Sequence, residues 1–166
     1  MLYFAFASNL DPERMSQHCP AHRVVGLAAL RDHRLGFPRY SPQWGGGISS
    51  PQLAHGQTVW GIVYDLTDDD MRALDELEGF RGSGDQHNIC DREIVTVDLT
   101  RPDDGSIPRR VRPWMFVARP SNPSAPTRQY LDAILTGARH HHLPEEYIAR
   151  LAVQEVAAES AGETPA

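Results

Sequence analysis

Leu2-Tyr3-Phe4-Ala5-Phe6-Ala7-Ser8-Asn9-Leu10 is the stretch from which the rest of the chain is read. Leu2 to Ala7 is apolar and aromatic, which predicts a buried strand. Polarity arrives abruptly at Ser8 and Asn9, and Asp11-Pro12 suits the start of a turn or short helix. A strand that ends in small polar residues leaves backbone N–H groups pointing out of the sheet. Those donors, with the Ser8 hydroxyl and the Asn9 amide, suit an anionic or carbonyl oxygen. The same pattern also suits a buried first strand followed by an ordinary helix cap.

Working outward, Pro12 to His18 reads as a short helix or turn, ended by Cys19-Pro20. Val24 to Leu30 and His33 to Phe37 read as two short strands joined through Arg31-Asp32. Trp44-Gly45-Gly46-Gly47-Ile48 is a glycine loop suited to close backbone approach. It lacks the Lys-Ser/Thr pair of a phosphate loop. Thr58 to Leu66 is β-branched and aromatic, a strong strand signal. Thr67 then caps a helix from Asp68 to Glu78, with Asp68, Asp69 and Asp70 at its positive end. Met71, Leu74 and Leu77 supply the apolar stripe, and Gly79 stands where a C-terminal glycine belongs.

Arg81 to Asn88 is a polar loop. Arg92 to Leu99 predicts a strand, Arg101 to Gly105 a hairpin turn, and Arg109 to Ala118 the returning partner. Pro120 to Pro126 crosses to two closing helices, about Thr127 to His140 and Pro144 to Val156. The residues 158–166 read as a frayed tail after a single domain spanning 1–157.

Composition narrows the function. The 166 residues suffice for one real core, 40% are hydrophobic, and the formal net charge is −6. That charge argues against a general nucleic-acid or anionic-membrane binder. No apolar run has transmembrane length, and the N-terminus lacks the basic flank of a signal peptide. Cys19 and Cys90 are too few for a disulfide framework or a zinc site, so a reducing cytosol is expected. His140-His141-His142 project about 100° apart on a helix end and do not converge on one metal ion.

Glu78 is the carboxylate that does not fit a solvated face. It follows Leu74 by four residues and Met71 by seven, which places it along the inward stripe. Burial and the negative end of the helix dipole both disfavour its charged form and push its pKa up, toward the range of a general acid or base. The alternative is a side chain that swings out to water at the helix end. Glu76 faces another way.

These segments together resemble the gamma-glutamylcyclotransferase family, the AIG2-like group. Tyr3 to Leu10 resembles its opening Tyr-Phe-Ala-Tyr-Gly-Ser-Asn-Leu, and Trp44 to Ile48 its glycine loop. Val59-Trp60-Gly61-Ile62-Val63-Tyr64 resembles its central strand. Leu74-Asp75-Glu76-Leu77-Glu78-Gly79 resembles the segment that holds its catalytic glutamate, which falls on Glu78. Gln129-Tyr130, Gly137-Ala138 and Leu143-Pro144-Glu145-Glu146-Tyr147 resemble its closing helices.

The resemblance implies an α+β domain, a small twisted mixed β-barrel flanked by helices. It implies cyclisation of a small gamma-glutamyl substrate to 5-oxoproline with release of an amine, without cofactor or metal, and often in a homodimer. It places Phe6, Ala7, Ser8, Asn9, Leu10, Tyr130 and Cys90 around the substrate and gives Glu78 the proton transfers. Tyr130 would hydrogen-bond Glu78 or the substrate, or else pack in the core. Arg81, Asp85 and His87 belong to a loop longer than usual and would contact the leaving group of the substrate, or else form a solvated loop. Three positions depart from the pattern: Phe6 for Tyr, Ala7 for Gly, and Cys90 where a Tyr is expected. A positive φ at Ala7 would cost roughly 1 kcal/mol. Two other readings remain. One is a non-catalytic small-molecule-binding protein of the same fold. The other is a hydrolase with Ser8 as nucleophile, which lacks an assignable histidine base.

Overall fold

The structure is a computed structural model and describes residues 1–100 and 109–158. The expected hairpin turn Arg101 to Gly105 and nearly all of the expected tail lie outside the described residues.

The first strand, β1, runs Leu2–Ala5 and is followed by a 3₁₀ turn at Ser8–Leu10 and by helix α1, Pro12–His18. The expected strand to Ala7 is thus two residues shorter, because the chain leaves the sheet to build the turn. Side chains alternate as a strand requires. Tyr3 and Ala5 join the core that faces the helices, while Phe4 and Phe6 join a second cluster with Val59, Val63 and Met115. Asp11 caps α1 through a hydrogen bond from Glu13 N–H.

Two long strands form the centre, β2 (Arg23–Ser41) and β3 (Gly46–Asp65). The two short strands expected through Arg31-Asp32 are one. Asp32 takes a φ of 57° and its carboxylate accepts the Gly56 N–H at 2.9 Å. A bulge therefore absorbs the irregularity that reads as a break in the sequence. The glycine loop is likewise mostly strand. A Cβ on Gly47 would lie 1.8 Å from the Ser124 carbonyl oxygen, so the close approach expected there occurs against the 120–126 crossing segment.

Helix α2, Asp68–Leu77, starts with a reciprocal cap in which Thr67 and Asp70 each bond the other's backbone N–H. Glu78 is its C-terminal cap residue, and Gly79 follows at φ +68°. The expected strand Arg92 to Leu99 is two pieces, β4 (Cys90–Ile94) and β5 (Val97–Leu99). Its partner is also two, β6 (Arg109–Val111) and β7 (Trp114–Ala118). Pro113 has no N–H to give the ladder, which pauses there. Register continues across the pause, with Ile94 opposite Trp114 and Val97 opposite Val111.

The strand order is β4-β7-β1-β3-β2-β5-β6, mixed because β1 and β7 run parallel. One hairpin therefore joins the sheet beside β1 with its first half and beside β2 with its second, which curls the sheet into the expected small barrel. Helix α3, Arg128–His140, covers the 3₁₀ turn, and α4, Glu145–Ala152, packs on α3 and ends earlier than expected. Among the described residues no helix is long and apolar enough to cross a membrane.

Candidate active site

Because β1 stops at Ala5, the turn that follows faces the C-terminal end of α2. Between them lies a cavity of about 180 Å³. Phe6, Ala7, Ser8 and Asn9 line it from the turn, Leu77 and Glu78 from the end of α2, Ile89 and Cys90 from the start of β4, and Tyr130 from α3. Residues from Ser41 to Trp44, with Ile48 and Ser49, supply the wall from the central hairpin.

Glu78 is half-buried on this wall. Its Oε1 accepts the Asn9 Nδ2–H at 3.0 Å, and its Oε2 faces the Cys90 thiol at 3.8 Å. Burial raises its pKa above the ordinary carboxylate value. The Asn9 hydrogen bond, the nearby positive charge of Arg14 and the Cys90 hydrogen bond pull it back in part. The carboxylate thus has neutral donors in contact and no cation in direct contact, a state compatible with both accepting and returning a proton. Burial and the facing Glu78 charge hold the Cys90 thiol in its protonated form.

Asn9 is 3% exposed and fully engaged. Its Nδ2 also reaches the Tyr3 hydroxyl at 3.0 Å, and its Oδ1 accepts from Arg14 Nε at 3.3 Å. Among the described residues no hydrogen bond uses the backbone N–H of Ser8 or Asn9, which leaves donors for a substrate oxygen. Ala7 has φ −125°, so the departure from glycine carries no left-handed strain.

Two expectations need correction. Leu10 does not line the cavity. Its side chain is fully buried in the helix-facing core, and its N–H is taken by the Ala7 carbonyl at 2.9 Å. Tyr130 does not bond Glu78. Its hydroxyl accepts the Ser49 N–H and shares a hydrogen bond with Ser49 Oγ, both at 3.0 Å, and burial pushes its pKa up to about 12. Arg81, Asp85 and His87 do not line the cavity either. Asp85 and His87 bond each other, and Asn88, 4% exposed, ties the loop by accepting the Arg81 N–H and donating to the Gly82 carbonyl.

Among the described residues no histidine lines the cavity, so the histidine base of a Ser8 nucleophile is not there. The three histidines act elsewhere. His141 Nε2 lies 3.1 Å from the Leu10 carbonyl and 3.1 Å from the Tyr64 hydroxyl, which in turn donates to the Asn9 carbonyl at 3.4 Å. Burial, with His140 beside it, lowers the His141 pKa to about 4, so a neutral ring props the turn from behind. Among the described residues no cluster of His, Cys, Asp or Glu is arranged to hold a metal ion. Cys19 is buried, and burial pushes its thiol up to about 12.

Arg14 and Trp44 complete the cavity, with the Arg14 guanidinium carbon 5.2 Å from the centre of the Trp44 ring. Trp44 in turn meets Tyr130 edge-on at 5.0 Å. Sequence reading missed Arg14 and Ser49. Arg14 lies in the first turn of α1, two residues after Pro12 and five after Asn9, and no periodicity in the sequence ties it or Ser49 to the site.

A model of the AIG2-like family matches residues 58–151, more than half of the chain, and the chain belongs to that family. The mouse protein named gamma-glutamylcyclotransferase (Mus musculus) is 30% identical over 154 residues, which cover 90% of this chain and 76% of that protein. The human protein of the same name (Homo sapiens) is 31% identical over the same coverage of each. A solved structure described as gamma-glutamyl cyclotransferase superposes with a TM-score of 0.83 at 27% identity, over 96% of this chain and 90% of that one.

Proposed function

We propose that this protein is a cyclotransferase that converts a gamma-glutamyl amino acid, peptide or amine into 5-oxoproline and a free amine. The observation that carries the proposal is Glu78: a half-buried carboxylate on the cavity wall, with raised pKa and only neutral donors in contact. Relatives that bear the enzyme's name along 90% of the chain support the class.

Glu78 takes a proton from the substrate α-ammonium. The freed amine nitrogen attacks the γ-carbonyl carbon of the same molecule and forms the five-membered ring. Glu78 gives that proton to the leaving nitrogen as its bond to the carbon breaks, then takes the second proton from the ring nitrogen and passes it to the departing amine, which leaves as an ammonium group. No water is consumed and no external group is required for the balance. Nucleophile and carbonyl share one chain, so holding them in a near-attack conformer removes much of the barrier. The N–H groups of Ser8 and Asn9 hold a substrate carboxylate or the developing oxyanion. Phe6, Cys90 and Tyr130 shape the cavity around the folded substrate.

The test is 5-oxoproline release from gamma-glutamyl dipeptides, glutathione and gamma-glutamyl amines, with wild type compared to Glu78→Gln. Release that vanishes in the variant while ligand binding persists is the expected result. No release from any of these compounds by the wild type, or equal release by both proteins, overturns the proposal.

A further inference from the structure

A second cavity, of about 200 Å³, lies between the central hairpin and α4 and shares no lining residue with the Glu78 cavity. Leu35 of β2 and Leu151 of α4 give it apolar wall, with the ring of Tyr147 one turn earlier on α4. Among the described residues its charged lining groups are two arginines, Arg34 of β2 and Arg150 of α4, and no acid stands with them. Arg92 and Arg119 each hold an aspartate. Among the described residues the guanidinium groups of Arg34 and Arg150 form no ion pair and donate no hydrogen bond. Glu146 stands four residues before Arg150, the spacing at which acid and base meet on a helix, yet no ion pair joins them. Arg150 leans on Tyr147 instead, its guanidinium carbon 5.9 Å from the ring centre. Two unpaired cations thus face one cavity in a chain whose formal net charge is −6. A concave wall of one sign concentrates ions of the other.

Tyr147 adds an independent observation. Its side chain is buried, and its hydroxyl is the one buried side-chain oxygen among the described residues without a hydrogen-bond partner. The Trp60 N–H lies close to it without forming a bond of ordinary geometry. Folded proteins leave few such groups unanswered. Gln57 and Thr58 of β3 line the same cavity, and among the described residues no hydrogen bond uses either side chain. A carboxylate offers two oxygens. Two guanidinium forks with further amide and hydroxyl donors suit a group that offers three. A phosphate monoester has three such oxygens and a charge of about −1.5 to −2 at neutral pH, which matches two arginines. Its organic group then lies against Leu35, Leu151 and the Tyr147 ring. We infer that this cavity binds a small phosphate monoester, with Arg34 and Arg150 on the phosphate and the organic group on the apolar wall. The assignment does not rest on the cyclotransferase reading above.

Phenyl phosphate, inorganic phosphate and benzoate are the probes, each titrated by calorimetry into the full chain at low salt and neutral pH. Phenyl phosphate should bind tightest. Inorganic phosphate lacks the ring and should bind about three- to tenfold more weakly. Benzoate keeps the ring but lacks an oxygen and a charge, and should bind about tenfold more weakly or worse. Arg34 and Arg150 are exposed, so their replacement spares the fold. Arg34→Met and Arg150→Met should each weaken phenyl phosphate about three- to tenfold, and the corresponding lysine variants should keep part of the affinity. Arg14→Met removes a positive charge from the other cavity and should leave the affinity unchanged. Absence of phenyl phosphate binding at millimolar concentration, benzoate binding as tightly as phenyl phosphate, undiminished affinity in either Arg34→Met or Arg150→Met, or a comparable loss in Arg14→Met each overturns the assignment. Inorganic phosphate that binds as tightly as phenyl phosphate overturns it too, because the apolar wall then takes no part.

Discussion

Asp75 and Glu78 stand one turn apart on the same helix and live in opposite surroundings. Burial raises the pKa of both. Asp75 answers it with a cation: Arg92 Nη1 donates to both its oxygens, at 3.0 and 2.9 Å. Arg92 is itself gripped between Phe80 and Trp114, 4.9 and 4.8 Å from the ring centres. Glu78 has an amide and a thiol in contact, with Arg14 held one amide group away. A direct arginine at Glu78 would lock it as a carboxylate and remove its use as a proton carrier. The first carboxylate thus fastens α2 to β4, and the second faces the cavity, as the proposed proton transfers require. Burial raises both carboxyl groups, and it is the partner, a cation for Asp75 and neutral donors for Glu78, that differs between them.

The largest expected effect sets the two apart. Glu78→Gln should lower kcat by about 10²–10⁴-fold, the range of a lost general acid/base, while the fold persists. It should also stabilise the protein at neutral pH. A carboxyl group whose folded pKa is raised binds more protons folded than unfolded, so its charged form destabilises the fold once pH exceeds the unfolded value. Removing the charge removes that cost. Urea unfolding at pH 5 and pH 7.5 checks the sign: the gain from Glu78→Gln should be larger at the higher pH. A loss of stability at both would place Glu78 among the structural acids.

Arg92→Met should show the reverse pattern. It leaves Asp75 buried without its cation and should cost about 2–3 kcal/mol in equilibrium unfolding. In the folded fraction kcat should stay within about threefold of wild type, because no reacting atom touches Arg92. A loss of kcat comparable to that of Glu78→Gln would dissolve the contrast between the two carboxylates.

Much of this contrast was legible in the sequence, for local reasons. The Met71, Leu74, Glu78 spacing put Glu78 on the inward stripe, and Thr67 and Gly79 bounded the helix correctly because caps are local chemistry. The turn after β1 was legible from the abrupt change at Ser8. What escaped depended on partners distant in sequence. Asp32 looked like a break because its bond to Gly56 lies 24 residues away. Tyr130 was read as bonding Glu78 or the substrate or else packing in the core; it is buried, and Ser49, 81 residues away, takes its hydroxyl. Leu10 shares the polar turn with Ser8 and Asn9 yet points into the core, since a 3₁₀ turn separates neighbours onto different faces. His141 props that turn across 131 residues, a relation invisible to any reading of spacing.

Asn9→Ala should have the next effect. It removes the strongest hydrogen bond to Glu78, the one that most lowers its pKa. The acid limb of the pH dependence of kcat/KM, set by protonation of Glu78, should move to higher pH. The rate at its plateau should fall about tenfold, through lost orientation of the carboxylate. A shift to lower pH would mean that Asn9 opposes ionisation and that the limb reports another group.

Cys90 should give the smallest effect. Its thiol is a weak donor at 3.8 Å from Oε2, and its pull on Glu78 ranks behind those of Asn9 and Arg14. Cys90→Ala should move the acid limb upward by less than Asn9→Ala does. Cys90→Ser puts a stronger hydroxyl donor at the same place and should move it back or below the wild-type position, if the oxygen reaches Oε2. The ordering Asn9→Ala, Cys90→Ala, wild type, Cys90→Ser along the pH axis is the sharpest form of the comparison. It asks whether the proton affinity of Glu78 follows the strength of its neutral donors one by one. An unchanged limb in both Cys90 variants would assign the thiol to cavity packing alone and leave Asn9 as the residue that sets Glu78 apart from Asp75.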